Sequence, residues 1–250
     1  MHVYIYDSFV NQKKYQRALA NVETRITDLG LNGKICRLGV MTKIQDIVTN
    51  EIRRGAKTII AVGNDQTINQ AINALVGSEV PLGIIPIGSE YNTVAECLGI
   101  NSAEEACDIL SARRIEKLDL GKANYFYFLT NASITGKGTV VEINQDYSIE
   151  ILEKGSIHIV NLPPENKINL PARGKFDPQD GRLELYIKTE AKKNFFKKII
   201  DQSFFTFEKL TINNSSYPLL IDNATKVDPP VEINIAKRAL NVIVGKKRNF

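Results

Sequence analysis

The stretch Lys57 to Leu75, KTIIAVGNDQTINQAINAL, changes period part-way along. Thr58 to Val62 is a short apolar run rich in β-branched residues, the pattern of a strand buried on both faces. From Ile68 the period lengthens: Ile68, Ala71, Ile72 and Leu75 fall on one face of a helix. Between the two lies Gly63-Asn64-Asp65-Gln66-Thr67. A loop that closes a parallel strand and opens a helix aims backbone N–H groups and the positive end of the helix dipole outward, which suits phosphate. The same residues also make an ordinary strand-to-helix turn, with Asp65 and Thr67 in the cap region.

A second stretch repeats the arrangement. Pro81 to Ile87, PLGIIPI, reads as another buried strand, followed by Gly88-Ser89-Glu90-Tyr91-Asn92-Thr93 and a short helix through Leu98. Gly99 stands where a helix ends with a left-handed residue. Two such loops on the carboxyl ends of parallel strands face one crevice.

These residues resemble the diacylglycerol kinase catalytic-domain family, which includes bacterial lipid kinases and sphingosine kinases. The family's G-G-D-G-T stands here as Gly63, Asn64, Asp65, Gln66 and Thr67, followed by Ile68-Asn69. Its P-x-G-T-x-N-D-x-A stands as Pro86 through Ala95, with one residue inserted near Tyr91 and Thr93 in place of the aspartate. Further matches follow in order: Phe128 to Gly136 for F-x-N-x-x-S-x-G, Pro178 to Leu185 for D-D-G-x-L-D-V, and Asp222-Asn223-Ala224 for D-G-E. Asp7-Ser8-Phe9-Val10-Asn11 occupies the place of the family's N-P-x-x-G. Asn64 and Gln66 replace two glycines of the first motif, and Ala224 replaces a carboxylate. Asn tolerates the left-handed region better than most residues, so Asn64 is compatible with a glycine-like turn.

The resemblance implies two domains with ATP and substrate in the cleft between them. It implies an ATP- and Mg²⁺-dependent kinase of a lipid hydroxyl, of the diacylglycerol or long-chain-base class. The alternative is a pseudokinase of the same fold that binds a ligand or regulates. In the kinase reading Gly63, Asn64 and Thr67 meet the phosphates, with backbone N–H groups and the Thr67 hydroxyl as donors, Asp65 holds Mg²⁺ directly or through water, and Gly88, Ser89 and Asn92 line the nucleotide. Asp222 acts as base or second Mg²⁺ contact; its bland reading is a hairpin turn. Asp180, with Asp177 as partner, takes a structural Mg²⁺, against the bland reading of a turn.

Composition is that of an ordinary globular protein. The net charge of +4 is mild and carries no concentrated basic stripe of the kind nucleic acid requires. Cys36, Cys97 and Cys107 give neither a disulfide framework nor metal-ligand spacing. No apolar run approaches the roughly 20 residues that span a bilayer, and MHVYIYDSF begins as a strand rather than a signal peptide. A cytoplasmic protein is expected. The two histidines, His2 and His158, make Ser–His hydrolysis improbable, and His158 reads as a strand residue.

The first part alternates strands and helices, as a parallel sheet with helices on both faces does. Helix starts are marked by Thr42 with Gln45 and by Ser102 with Glu105. Near Ile115 the pattern turns to short strands. The expected plan is therefore α/β: residues 1–114 a nucleotide-binding domain, and residues 115–250 an antiparallel β-sandwich that binds substrate. One helical insert is expected over Glu190 to Asp201. It contains Lys192-Lys193-Asn194-Phe195-Phe196-Lys197-Lys198, whose alternative reading is contact with an anionic membrane.

Overall fold

A computed structural model of the chain describes residues 1–39, 41–88, 92–144, 146–152, 154–163, 176–194, 197–248 and 250. It divides into two compact units, Met1–Leu118 with Arg238–Asn249, and Asp119–Lys237 with Phe250. The α/β plus β-sandwich plan expected from sequence is the plan observed.

The first unit is built on parallel strands β1 (His2–Tyr6), β2 (Gly33–Arg37), β3 (Thr58–Gly63) and β4 (Leu82–Pro86), in the order β2-β1-β3-β4. Every residue of β3 and of β4 is buried, which explains their unbroken apolar sequence. The helices are α1 (Gln16–Asp28), α2 (Ile44–Arg53), α3 (Asp65–Leu75), α4 (Thr93–Cys97) and α5 (Ala103–Ala112). From β1 the chain moves outward to β2, then back across to β3 and β4. Right-handed crossovers therefore put α1 on one face and α2 and α3 on the other. In keeping with this, α1 packs on α5 and α2 on α3. Ser102 caps α5 through the Glu105 N–H, as its sequence predicts. Gly99 ends α4 at φ 73°, and a Cβ there would lie 2.7 Å from the Arg248 backbone nitrogen.

The second unit contains β6 (Phe126–Phe128), β7 (Asn131–Thr135), β8 (Val140–Ile143), β9 (Tyr147–Glu150), β10 (Lys154–Val160), β11 (Leu183–Asn194), β12 (Lys197–Phe207), β13 (Lys209–Asn213), β14 (Leu219–Ile221) and β15 (Thr225–Val227). Two strands, β5 (Ile115–Ala123) and β16 (Val231–Ile243), run through the division along the chain. One sheet is ordered β12-β11-β10-β7-β14-β15; in the other β13 lies between β16 and β8, with β9 outside β8. A single core joins them. Ile157, Ile159, Leu185 and Ile187 from the first sheet meet Val141, Ile143, Leu210, Ile212 and Ile233 from the second.

Four expectations need correction. Residues 190–201 form no helix: β11 and β12 pair antiparallel from Leu183↔Phe207 to Lys192↔Lys198. The spacing of four between Phe195 and Ile199 fits a period of two as well as one of 3.6, and strand pairing decides between them. Phe195 and Phe196 themselves lie outside the described residues. Helix α2 starts at Ile44 with Lys43 at its N-cap and no side-chain cap, so Thr42 and Gln45 form no capping box. Where short strands were expected near the C-terminus, Val231–Ile243 is one long strand. Its end returns to the first unit, where Val242 pairs parallel with Leu82, so residues 238–249 do not belong with the sandwich.

Candidate functional site

The carboxyl ends of β1, β3 and β4 carry the first motif residues. In the β3–β4 register Gly63 stands beside Pro86, and the Ile87 N–H donates to the Gly63 carbonyl at 3.0 Å. The loops after the two strands are thereby neighbours. Gly63 is required by packing: a Cβ there would lie 2.5 Å from Thr67 Oγ1 and 3.2 Å from the Asp7 Cβ.

Asp65 joins the loops. It opens α3, yet its side chain is 1% exposed and reaches the start of α4. One carboxylate oxygen accepts from the Thr93 N–H at 2.9 Å, the other from the Val94 N–H at 3.0 Å. A carboxylate on the first amides of a helix is a charge-assisted cap. Both oxygens are turned into the protein on backbone amides, so of the two expected modes, direct or through water, the geometry suits the water-mediated Mg²⁺ contact better.

Asn64 takes the N-cap of α3. Its backbone is extended, at φ −102°, so the left-handed turn allowed for it in sequence is not used. Its Oδ1 accepts from the Gln66 N–H at 3.1 Å and the Thr67 N–H at 3.4 Å. Those are the amides a phosphate would approach at this helix. Thr67 is also turned inward: it is 1% exposed and its hydroxyl donates to Asp7 Oδ2. In this structure the one proton of the Thr67 hydroxyl, expected to meet a phosphate, is committed to Asp7. Gln66 is exposed at the loop.

Asp7, which sequence reasoning left out of the site, belongs to this cluster. It follows β1, its N–H donates to the Val62 carbonyl, and its Oδ1 accepts from the Phe9 N–H at 3.2 Å. The available signal was its position as the first polar residue after a buried strand, at the ligand side of such a sheet. Unlike Asp65, it remains partly exposed. In the second loop Gly88 adopts φ 110°, and Asn92 donates to the Gly88 carbonyl at 2.7 Å. Among the described residues, Asn92 Oδ1 is buried without a hydrogen-bond partner. Ser89 lies outside the described residues.

The remaining sequence candidates belong to the second unit. Asp222 is the first residue of the turn between β14 and β15, at φ 46°, followed by Asn223 at 55°. It is fully buried. Its carboxylate accepts from the N–H groups of Leu129, Thr130 and Asn131, at 2.9, 2.8 and 3.1 Å, and from the Thr130 hydroxyl at 2.6 Å. Burial pushes its carboxyl up from the usual range while these donors pull it down. A group so enclosed is a clamp between two turns, so the expectation that it acts as a base is corrected. Asp177 accepts from the Gln179 N–H at 3.0 Å and Asp180 from the Arg182 N–H at 2.9 Å. Each is a turn-forming aspartate. Among the described residues no group of three His, Cys, Asp or Glu side chains is placed to hold a metal, so an ion at Asp177 and Asp180 would rest on these two carboxylates with carbonyls and waters.

Known proteins share this fold. Residues 2–123 match the diacylglycerol kinase catalytic domain. This part of the chain belongs to that family. A diacylglycerol kinase of Bacillus subtilis (strain 168) is 35% identical to this chain over 92 residues, which are 35% of this chain and 29% of that relative. A Staphylococcus aureus (strain MSSA476) protein bearing a lipid kinase name is 24% identical over an alignment of 250 residues, covering 80% of this chain and 81% of its own. A solved diacylglycerol kinase structure from Bacillus anthracis str. Sterne has a TM-score of 0.74 at 17% identity, covering 98% of this chain and 97% of its own. That likeness extends the diacylglycerol kinase fold across both units. Among the described residues no helix is long and apolar enough to cross a membrane.

Proposed function

We propose that this protein is an ATP- and Mg²⁺-dependent kinase that phosphorylates a lipid hydroxyl of the diacylglycerol or long-chain-base class. The observation that carries the proposal is the Asp65 clamp. It ties the loop after β3 to the loop after β4, fixing two strand-to-helix loops on one edge of a parallel sheet. Phosphoryl transfer depends chiefly on such positioning and on charge neutralisation.

The residues present fit both small ligands. Asn92 Oδ1 is a buried acceptor that lacks a donor among the described residues, and the amino group of an adenine supplies one. Mg²⁺ is commonly held by one or two carboxylates together with phosphates and waters. Asp7 is the partly exposed carboxylate of this cluster. When bound, Mg²⁺ neutralises charge on the phosphates. Asp7 also orients Thr67, Gly63 admits the close approach of both, and Asp65 holds α4 in place.

A phosphate that takes the Gln66 and Thr67 amides must displace the Asn64 side chain. Losing that cap costs about 1 kcal/mol, whereas charge-assisted bonds to an anion return about 1.5–3 kcal/mol. Nucleotide binding is thus weakened but not abolished. The same cap, together with the enclosed Asp222 and with Ala224 at the D-G-E position, favours the second reading, a pseudokinase.

The test is transfer of labelled γ-phosphate from ATP to diacylglycerol and to sphingosine in mixed micelles, with and without Mg²⁺. Mg²⁺-dependent labelling of either lipid supports the kinase. Nucleotide binding with no labelling of either supports the pseudokinase.

A further inference from the structure

The six-stranded sheet has a second face. Along β10 and β11, Ile157, Ile159, Leu183, Leu185 and Ile187 enter the sandwich core. Side chains alternate along a strand, so Ser156, His158, Tyr186 and Lys188 stand on the opposite face. The register sets Lys154 across from Glu190, whose side chain is not among those described, Ser156 across from Lys188 and His158 across from Tyr186. Lys154 lies two residues from Ser156 on the same side. Lys154, Gly155, Ser156 and Lys188 line a cavity of about 220 Å³.

Two features of this face are not explained by the fold. Among the described residues no carboxylate pairs with Lys154 or Lys188. Lys188 stands across from an uncharged Ser156, and two ammonium groups on one small cavity favour an anion between them. Next along the same face, two buried polar atoms have no partner among the described residues: His158 Nδ1 and the hydroxyl of Tyr186, a residue only 1% exposed. Buried polar atoms without partners are rare and costly, and they mark places where a ligand or water completes the set. Ser156 Oγ lies 3.2 Å from His158 Nε2, which links the cavity wall to the orphaned imidazole nitrogen.

We propose that this cavity is an anion subsite for a phosphate group, bound by Lys154, Lys188 and the Ser156 hydroxyl. Two lysines match the charge of a phosphate, and a hydroxyl adds a donor that a purely electrostatic patch lacks. The phosphate is either a lipid headgroup or a free one. The subsite lies wholly in the second unit and the nucleotide loops wholly in the first, so it stands or falls independently of the kinase reading.

The experiment is calorimetric titration of the full chain with inorganic phosphate, alongside Lys154→Gln and Lys188→Gln. Both lysines reach solvent, so neither change should alter the circular dichroism spectrum. Each substitution is expected to weaken phosphate binding about tenfold, as loss of a charge-assisted bond does. Co-sedimentation with phosphatidylcholine vesicles, with and without phosphatidylglycerol, distinguishes the sources. Vesicle binding that needs phosphatidylglycerol and is lost in Lys188→Gln assigns the subsite to a lipid headgroup. Free-phosphate binding sensitive to both lysines, without vesicle binding, assigns it to a soluble phosphate. Absence of both kinds of binding, or binding that both variants retain, overturns the proposal.

Discussion

At the scale of single residues, Asn64 and Asp222 show how one side chain sets what a site can do. Asn64 caps α3 with the oxygen that sits where a phosphate would. Asn64→Gly should cost the fold only a few tenths of a kcal/mol while raising ATP affinity about fivefold, the equivalent of one lost cap. Calorimetry on both proteins checks this; unchanged affinity would mean that these amides do not meet the nucleotide. Asp222→Ala should be far more damaging, because three N–H groups and a hydroxyl lose their acceptor. A loss of about 3 kcal/mol or more is expected from the urea midpoint. Glu184 gives a pH signature. Burial, with Asp180 nearby, pushes its carboxyl up from the usual 4.5 to about 7. The folded chain therefore holds this proton more tightly than the unfolded chain. The associated stability is full below pH 4.5, declines as pH rises through about 7, and is absent above. Allowing for solvent screening, the change is about 2 kcal/mol. Glu184→Gln should flatten the dependence in denaturation curves at pH 5, 6, 7 and 8; a slope that persists would assign it to another group.

At the scale of elements, the sequence was most legible where one period held over a whole segment. The buried runs Thr58–Val62 and Leu82–Pro86 have no other reading, and both are strands. The change of period after Thr67 marked α3 correctly. Residues 190–201 were misread because spacings of four suit both periods and strand pairing is non-local. The candidate site was legible as a place but not as a set of roles. The two loops were found, yet the inward turn of Asp65 and Thr67 depends on partners 28 and 60 residues away. The local pattern marks Asp7 only as the first polar residue after a buried strand, not as one of those partners. Gly63→Ala tests the join between β3 and α3. Its Cβ would press on Thr67 and Asp7, so a loss of about 1–3 kcal/mol is expected from thermal or urea unfolding. A neutral result would show that the loop relaxes freely and that the glycine serves another purpose.

At the scale of the whole molecule, order along the chain carried more than any one motif. The motifs are eroded at Asn64, Gln66, Thr93 and Ala224, but they follow one another as the family's do, and the fold is the family's. Erosion at the site and retention of the fold are separable, because packing fixes the fold while a few side chains fix the chemistry. The return of the C-terminal segment to β4 was missed because pairing with a distant parallel strand leaves no local trace. The central claim is that the loops after β3 and β4 bind nucleotide. Calorimetric titration of the full chain with non-hydrolysable ATP, with and without Mg²⁺, tests it most directly. The account predicts Mg²⁺-dependent binding that strengthens in Asn64→Gly. No binding at millimolar nucleotide in either protein would contradict it.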